Sequence, residues 1–202
     1  MTDTRPDFIR LSPLDETRFG IRTARAEGVT LERLPTVLEF CHTQNIQMLI
    51  ARCSTGDLPS LQAMEEAGFQ LMDTLVYFDF DLHHKELPSR RDFNIRVVQP
   101  QDVAAVKEIA RQAFRGYDSH YHADPRLDQS TCDEIYVDWA VRSCSNKDVA
   151  DEVFVADSNN GILGFLAIKM DKTKVADCRL YAVSQQSQRG GVGQALLIEA
   201  LH

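Results

Sequence analysis

The stretch LYAVSQQSQRGGVGQALLIEAL, residues 180–201, limits the fold more than any other part of the sequence. Leu180, Ala182 and Val183 read as the end of a strand, and Ser184 to Gln188 break it with a polar run. Gly190, Gly191 and Gly193 then open a helix whose apolar face is Val192, Ala195, Leu196, Ile198 and Ala200. Glycines at a helix start let a ligand approach the backbone, and the first turn of N–H groups has no internal partner. A site of that kind attracts phosphate without a side-chain charge.

Two phosphate loops are excluded by the neighbouring residues. A P-loop needs Lys and then Ser or Thr after its last glycine, and Gly193 is followed by Gln194. A dinucleotide fingerprint needs a third glycine where Leu196 stands, and it needs a parallel βαβ unit. Upstream, 153–156 and 162–170 are apolar runs joined across Asn159-Asn160-Gly161, a hairpin signal, and 173–183 follows after the short turn Asp171-Lys172. The pattern is three antiparallel strands running into a glycine-led helix.

That arrangement resembles the acetyl-CoA-binding core of the GCN5-related N-acetyltransferase (GNAT) superfamily. The family signature is Gln or Arg, two residues, Gly, one residue, Gly or Ala, placed after the fourth strand. Gln188-Arg189-Gly190-Gly191-Val192-Gly193 matches it at every fixed position. The resemblance implies an α/β (α+β) GNAT fold with a mixed, largely antiparallel central sheet. It implies acetyl-CoA as co-substrate, held by Ala182, Val183, Gln188, Arg189, Gly190, Gly191, Val192, Gly193 and Gln194.

Composition excludes other classes. With 202 residues, 44% hydrophobic and 26% charged, the chain is sized for one or two soluble domains. The net charge of −8, with no basic cluster beyond Arg90-Arg91, argues against a nucleic-acid partner. The N-terminus MTDTRPDFIR has no apolar segment, and no run approaches the ~20 apolar residues of a membrane span. Five scattered cysteines without a CxxC read as free thiols of a cytoplasmic protein.

In chain order, 19–29 reads as strand-like, 31–44 as an amphipathic helix, and 46–51 as a strand. A second helix over 58–67 is capped from Ser54, Thr55 or Asp57 and stopped at Gly68, and 69–82 reads as a long strand. Residues 1–82 are therefore expected to form a partial GNAT-like domain, 83–92 a linker and 93–202 the acetyl-CoA-binding core. The core should hold a strand at 93–98, a helix capped by Asp102 and running to Phe114, a polar aromatic segment to Gln129, and a helix over 130–143. A complete GNAT fold has a further strand, helix and strands beyond the glycine-led helix. The sequence is thus expected to be a truncated chain, to borrow the missing half from its first domain, or to complete its sheet with a partner chain as a homodimer or by strand exchange.

The N-terminal RFGIRTARA and ARCSTGDLPSLQAMEEAGFQLMDTLVYFDFDL, joined to a core carrying AFRGY and HYHADPRLD, look like the dTDP-fucosamine acetyltransferase branch. This resemblance implies that an amine on a nucleotide-linked sugar attacks the thioester directly. It points to Asp73 as the base and to the backbone N–H near Val183 as the oxyanion donor. The family's general acid is a Tyr on the later helix; the comparable residue of the first domain is Met64, which has no proton to give. Tyr117, His120, Tyr121 and His122 are candidates for acceptor recognition by stacking or hydrogen bonding, with packing beneath the loop as the plain alternative. His120 and His122 lack a third ligand at a recognisable spacing, so no metal is expected. A GNAT acting on a small amine, amino acid or protein terminus, and a non-catalytic acyl-CoA-binding module, stand as alternatives.

Overall fold

The computed structural model describes residues 6–83, 86–171, 173 and 175–202. The chain divides between Thr74 and Leu75 into two units, Met1–Thr74 and Leu75–His202.

In the first unit the strands are β1 (Ile9–Leu11), β2 (Thr23–Ala26) and β3 (Met48–Ala51). The helices are α1 (Pro13–Phe19), α2 (Leu34–Thr43) and α3 (Leu58–Glu66). β1 pairs antiparallel with β2, which pairs parallel with β3. α2 makes the crossover that a parallel pair requires. Val37 and Phe40 of α2 and Met64 of α3 cover Ile9, Ala24 and Ala26 of the sheet. Asp57 caps α3 as the sequence indicates, accepting from the Ser60 N–H at 3.3 Å.

Two expectations for this unit are corrected. The strand read over 19–29 is confined to Thr23–Ala26, because a helix ends at its start. Pro13 in the first turn of α1 and Gly20 in the left-handed region (φ 64°) start and stop that helix. The long strand read over 69–82 does not form: among the described residues this stretch pairs with no strand. Leu71, Val76, Tyr77 and Phe78 lie exposed along it. β-forming side chains do not make a strand where no ladder takes up the backbone. Residues 75–82 also fall in the second unit, where the sequence pattern joins them to the first.

The second unit contains β4 (Asn94–Val97), α4 (Val103–Phe114), α5 (His120–Ala123) and α6 (Gln129–Ser145). These are followed by β5 (Glu152–Ser158), β6 (Gly161–Met170), β7 (Ala176–Val183) and α7 (Val192–Ala200). The four strands form one antiparallel sheet in the order β4-β5-β6-β7. The Asn159-Asn160-Gly161 turn makes the β5–β6 hairpin, with Gly161 at φ 108°. Side chains alternate across β6. Leu166 and Ile168 meet Val192 and Leu196 of α7, while Phe165 and Ala167 are buried toward the opposite face. Leu166 and Leu196 have no exposed surface, each contributing ~1.5–3 kcal/mol of apolar burial.

Asp102 does not cap α4 with its side chain. Its carboxylate takes the Arg96 guanidinium at 2.6 and 3.0 Å and the Gln99 N–H at 2.8 Å, closing a 3-10 turn over Pro100–Asp102. Arg96 also donates to Asp157 on β5 at 2.7 Å. One cation thus ties β4 to its neighbouring strand and to the entry of α4. The helix read over 130–143 is longer, beginning at Gln129 with Asp128 accepting from the Thr131 N–H at 2.8 Å. α5 lies within the segment read as polar and aromatic-bearing.

Candidate functional site

β7 delivers the glycine turn. Its end is drawn tight against β6 because Gly164 has no side chain: a Cβ there would stand 2.8 Å from the Ala182 carbonyl oxygen and 3.3 Å from the Val183 Cα. The Ser184 N–H donates inward to the Leu163 carbonyl at 2.8 Å. Antiparallel strands alternate their hydrogen-bonding direction, so Val183, one residue earlier, turns its N–H and C=O toward the open edge of β7. The Gln188 side-chain amide lies 3.5 Å from that Val183 carbonyl oxygen. The outward Val183 N–H is therefore a backbone donor on the sheet edge beside the turn.

A 3-10 turn over Gln185–Ser187 leads into the loop. Arg189 takes the left-handed region (φ 61°), one of two non-glycine residues with positive φ among those described. Gly191 follows at φ 90° as the residue preceding α7. These successive turns leave the N–H groups of Val192, Gly193 and Gln194, at the first turn of α7, without partners inside the helix. A Cβ on Gly193 would lie 3.5 Å from Val183 Cγ2 and 3.7 Å from Tyr181 Cε2, so the helix start packs on the end of β7. Val192, Ala195 and Leu196 bury the other side of α7 in the core. The cofactor-binding set read from the sequence, Ala182, Val183 and 188–194, lies at the end of β7 and in this turn. Its backbone donors and lack of bulk suit a diphosphate.

The acceptor candidates gather on a different element. Ser119 precedes α5 with its hydroxyl 2.9 Å from His122 Nδ1, and His122 Nε2 lies 3.1 Å from Asp133 Oδ1 on α6. A carboxylate only accepts, so the Nε2–H of His122 donates to Asp133. The same Asp133 oxygen accepts the Gly116 N–H at 2.8 Å, which pins both ends of the loop to α6. The His122 side chain is only 6% exposed. Tyr121 is buried, and its ring lies 4.1 Å from that of His120. Tyr117 is exposed, edge-on to Phe114 at 5.6 Å and to Tyr136 at 5.3 Å. Phe114 and Tyr136 stack at 4.9 Å beneath it. Of the four, Tyr117 presents an aromatic surface to solvent, whereas His122 and Tyr121 organise the loop.

Asp73 is exposed, in the stretch of the first unit that forms no ladder. Sequence reasoning missed Gly164, Ser119, Asp133 and Tyr136. Gly164 carried a usable signal, since an isolated glycine inside a strand marks close backbone approach. Asp133 and Tyr136 were hidden because their partners, His122 and Phe114, come from other helices; Ser119 was hidden because its partner His122, only three residues on, was read for acceptor recognition. Among the described residues no group of three His, Cys, Asp or Glu is placed to hold a metal ion. No helix among them is long and apolar enough to cross a membrane.

Residues 104–202 match the family described as Acetyltransferase (GNAT) family. No curated protein matches the chain. Among solved structures, the chain is similar to a histone acetyltransferase HPA2 and related acetyltransferase from Corynebacterium glutamicum. The identity is 17% over 53% of this chain and 68% of that one, with a TM-score of 0.41. It is also similar to a GNAT family acetyltransferase from Brucella melitensis in complex with acetyl-CoA. There the identity is 20% over 54% of this chain and 66% of that one, with a TM-score of 0.36. A functionally unknown conserved protein from Staphylococcus epidermidis aligns with 98% of this chain and 77% of its own length, at 15% identity and a TM-score of 0.54. That likeness is one of fold alone.

Proposed function

We propose that this chain, whose residues 104–202 match the GNAT family, uses acetyl-CoA to N-acetylate an amine on a nucleotide-linked sugar. The observation that carries the reading is the backbone turn from Val183 to Gln194, with Gly191 at φ 90° and a buried helix behind it. When bound, acetyl-CoA supplies an activated acyl thioester. The residues of the chain do the rest. The N–H groups of Val192, Gly193 and Gln194 hold the diphosphate, and the outward Val183 N–H stabilises negative charge developing on the acyl oxygen.

An amine protonated at neutral pH cannot attack, so a base must take its proton directly or through water. Asp73 is the candidate, carried by resemblance to the sugar-acetylating branch. Tyr117, over the Phe114–Tyr136 stack, offers a face on which a nucleobase or sugar ring can lie. His120, Tyr121 and His122 form the floor of that segment. A cytoplasmic location and a homodimer belong to the same reading.

Calorimetry with acetyl-CoA, combined with a thiol-release assay on dTDP-linked 4-amino sugars, tests it. CoA binding with thiol release that depends on the amino sugar is the expected result. Thiol release with small amines or peptide N-termini instead would move the acceptor to that class. Binding without release from any amine would leave a non-catalytic acyl-CoA module. No CoA binding at all would remove the assignment.

A further inference from the structure

The Arg91 guanidinium stands beside the glycine turn, although it belongs to the connecting stretch before β4 and to no recognised motif. Its Nη1 lies 3.8 Å from the position that a Cβ on Gly191 would occupy. The ring of Phe93, two residues on, approaches the same point to 3.8 Å and packs into the core behind α7. The flanking residues fix this placement. Arg90 grips Glu199 of α7 with two hydrogen bonds of 2.7 and 3.1 Å. His202 Nε2 lies 3.0 Å from the Pro88 carbonyl oxygen, and the Phe93 N–H donates to the Arg91 carbonyl at 2.8 Å. The connecting stretch is thus lashed along α7 on both sides of Arg91. Arg90, and not Arg91, takes the nearby carboxylate.

We propose that Arg91 is a diphosphate-binding residue of the acetyl-CoA site, supplying the side-chain cation that the glycine turn itself lacks. The proposal rests on the reading of that turn as the CoA seat. Backbone N–H groups at a helix start amount to about half a positive charge, against the two negative charges of a diphosphate. A guanidinium beside Gly191 makes up the difference and presents a planar fork suited to two oxygens. Arg189, in the turn itself, is the competing source of charge. Its positive φ serves the path of the turn.

The test is titration calorimetry of the full chain with CoA and with 3′-dephospho-CoA, for wild type, Arg91→Gln, Arg91→Lys and Arg189→Gln, at two salt concentrations. Expected for Arg91→Gln is a Kd raised about tenfold for both ligands. Partial recovery is expected in Arg91→Lys, with a shallower salt dependence in Arg91→Gln than in wild type. Arg189→Gln should lose less. Unchanged melting temperatures would separate lost binding from lost folding, because Arg91 is exposed. Arg91→Gln binding within about twofold of wild type, or a loss seen with CoA but not with dephospho-CoA, overturns the proposal and leaves the glycine-turn reading standing. Wild type binding neither ligand overturns both.

Discussion

Gly164 of β6 sits so close to Ala182 of β7 that an added Cβ would stand 2.8 Å from the Ala182 carbonyl oxygen, with Leu196 Cδ1 at 3.3 Å behind it. The obstructing atom is backbone, held in the sheet register of Gly164 opposite Val183, and cannot swing aside. Gly164→Ala is expected to destabilise the second unit by about 2–3 kcal/mol. It should also weaken CoA binding, because β7 would have to shift where it feeds the turn. Urea unfolding and calorimetry check both, and an unaltered unfolding midpoint would refute the close approach.

At Gly191 the obstacle is conformational. The nearest atoms to an added Cβ are 3.8 Å away, an ordinary contact, but φ is 90°. Gly191→Ala should therefore cost about 1–2 kcal/mol of strain. CoA affinity should fall about tenfold as the turn relaxes. Gly190→Ala meets the Ser187 carbonyl oxygen at 3.2 Å and should do less. Equal losses in the two variants would contradict the distinction.

Asp102 predicts the acid response. The Arg96 guanidinium, followed by the Gln99 N–H, holds its carboxyl below the usual carboxylate range despite burial. A carboxyl whose folded value is lowered contributes stability above its unfolded value of about 4, and that contribution is lost as pH falls through the folded value. Asp102→Asn should cost about 2 kcal/mol at pH 7, and the difference from wild type should shrink below about pH 4. Denaturant midpoints across pH 3–7 measure it; a gap that stays constant with pH would rule the ion pair out as its source.

His122 is expected to hold a loop rather than react. Replacing it by Ala removes the bonds to Ser119 and Asp133 and should cost about 1–2 kcal/mol. Amide exchange at Gly116, whose N–H bonds Asp133, should quicken. Protection there equal to wild type would sink this assignment.

Thiol labelling should follow burial. Burial, with Asp128 and Asp133 nearby, pushes the Cys132 thiol up to about 11, and burial does the same at Cys144. Both should resist a thiolate-selective reagent at pH 8, while exposed Cys178 reacts first. Early modification of Cys132, followed by mass spectrometry of peptides, would show that α6 opens.

How much could be read beforehand depended on whether the signal was local. The meander, its Asn-Gly turn and the glycine-led helix were legible because each rests on hydrogen bonds or φ values set within a few residues. The Asp57 cap was legible for the same reason. Asp102 misled because Arg96 and Asp157, which claim its carboxylate or share its cation, come from other elements. The stretch through Tyr77 and Phe78 misled in the opposite sense. Its residue types favour a strand, but a strand exists only where a second backbone accepts it. The His122–Asp133 contact and the placement of Arg91 join residues from separate elements, which spacing along the chain cannot reveal.

The hairpin wiring of β5, β6 and β7 sets an order of assembly. Their pairings join residues close along the chain, such as Ser158 with Gly161, and contacts of that kind close fastest because little loop entropy must be lost. β4 instead waits for Asp157 to arrive opposite Asn94, across the whole of α4 to α6. During synthesis the glycine turn can therefore take shape on an already zipped meander, with β4 and the Arg96 clasp docking last.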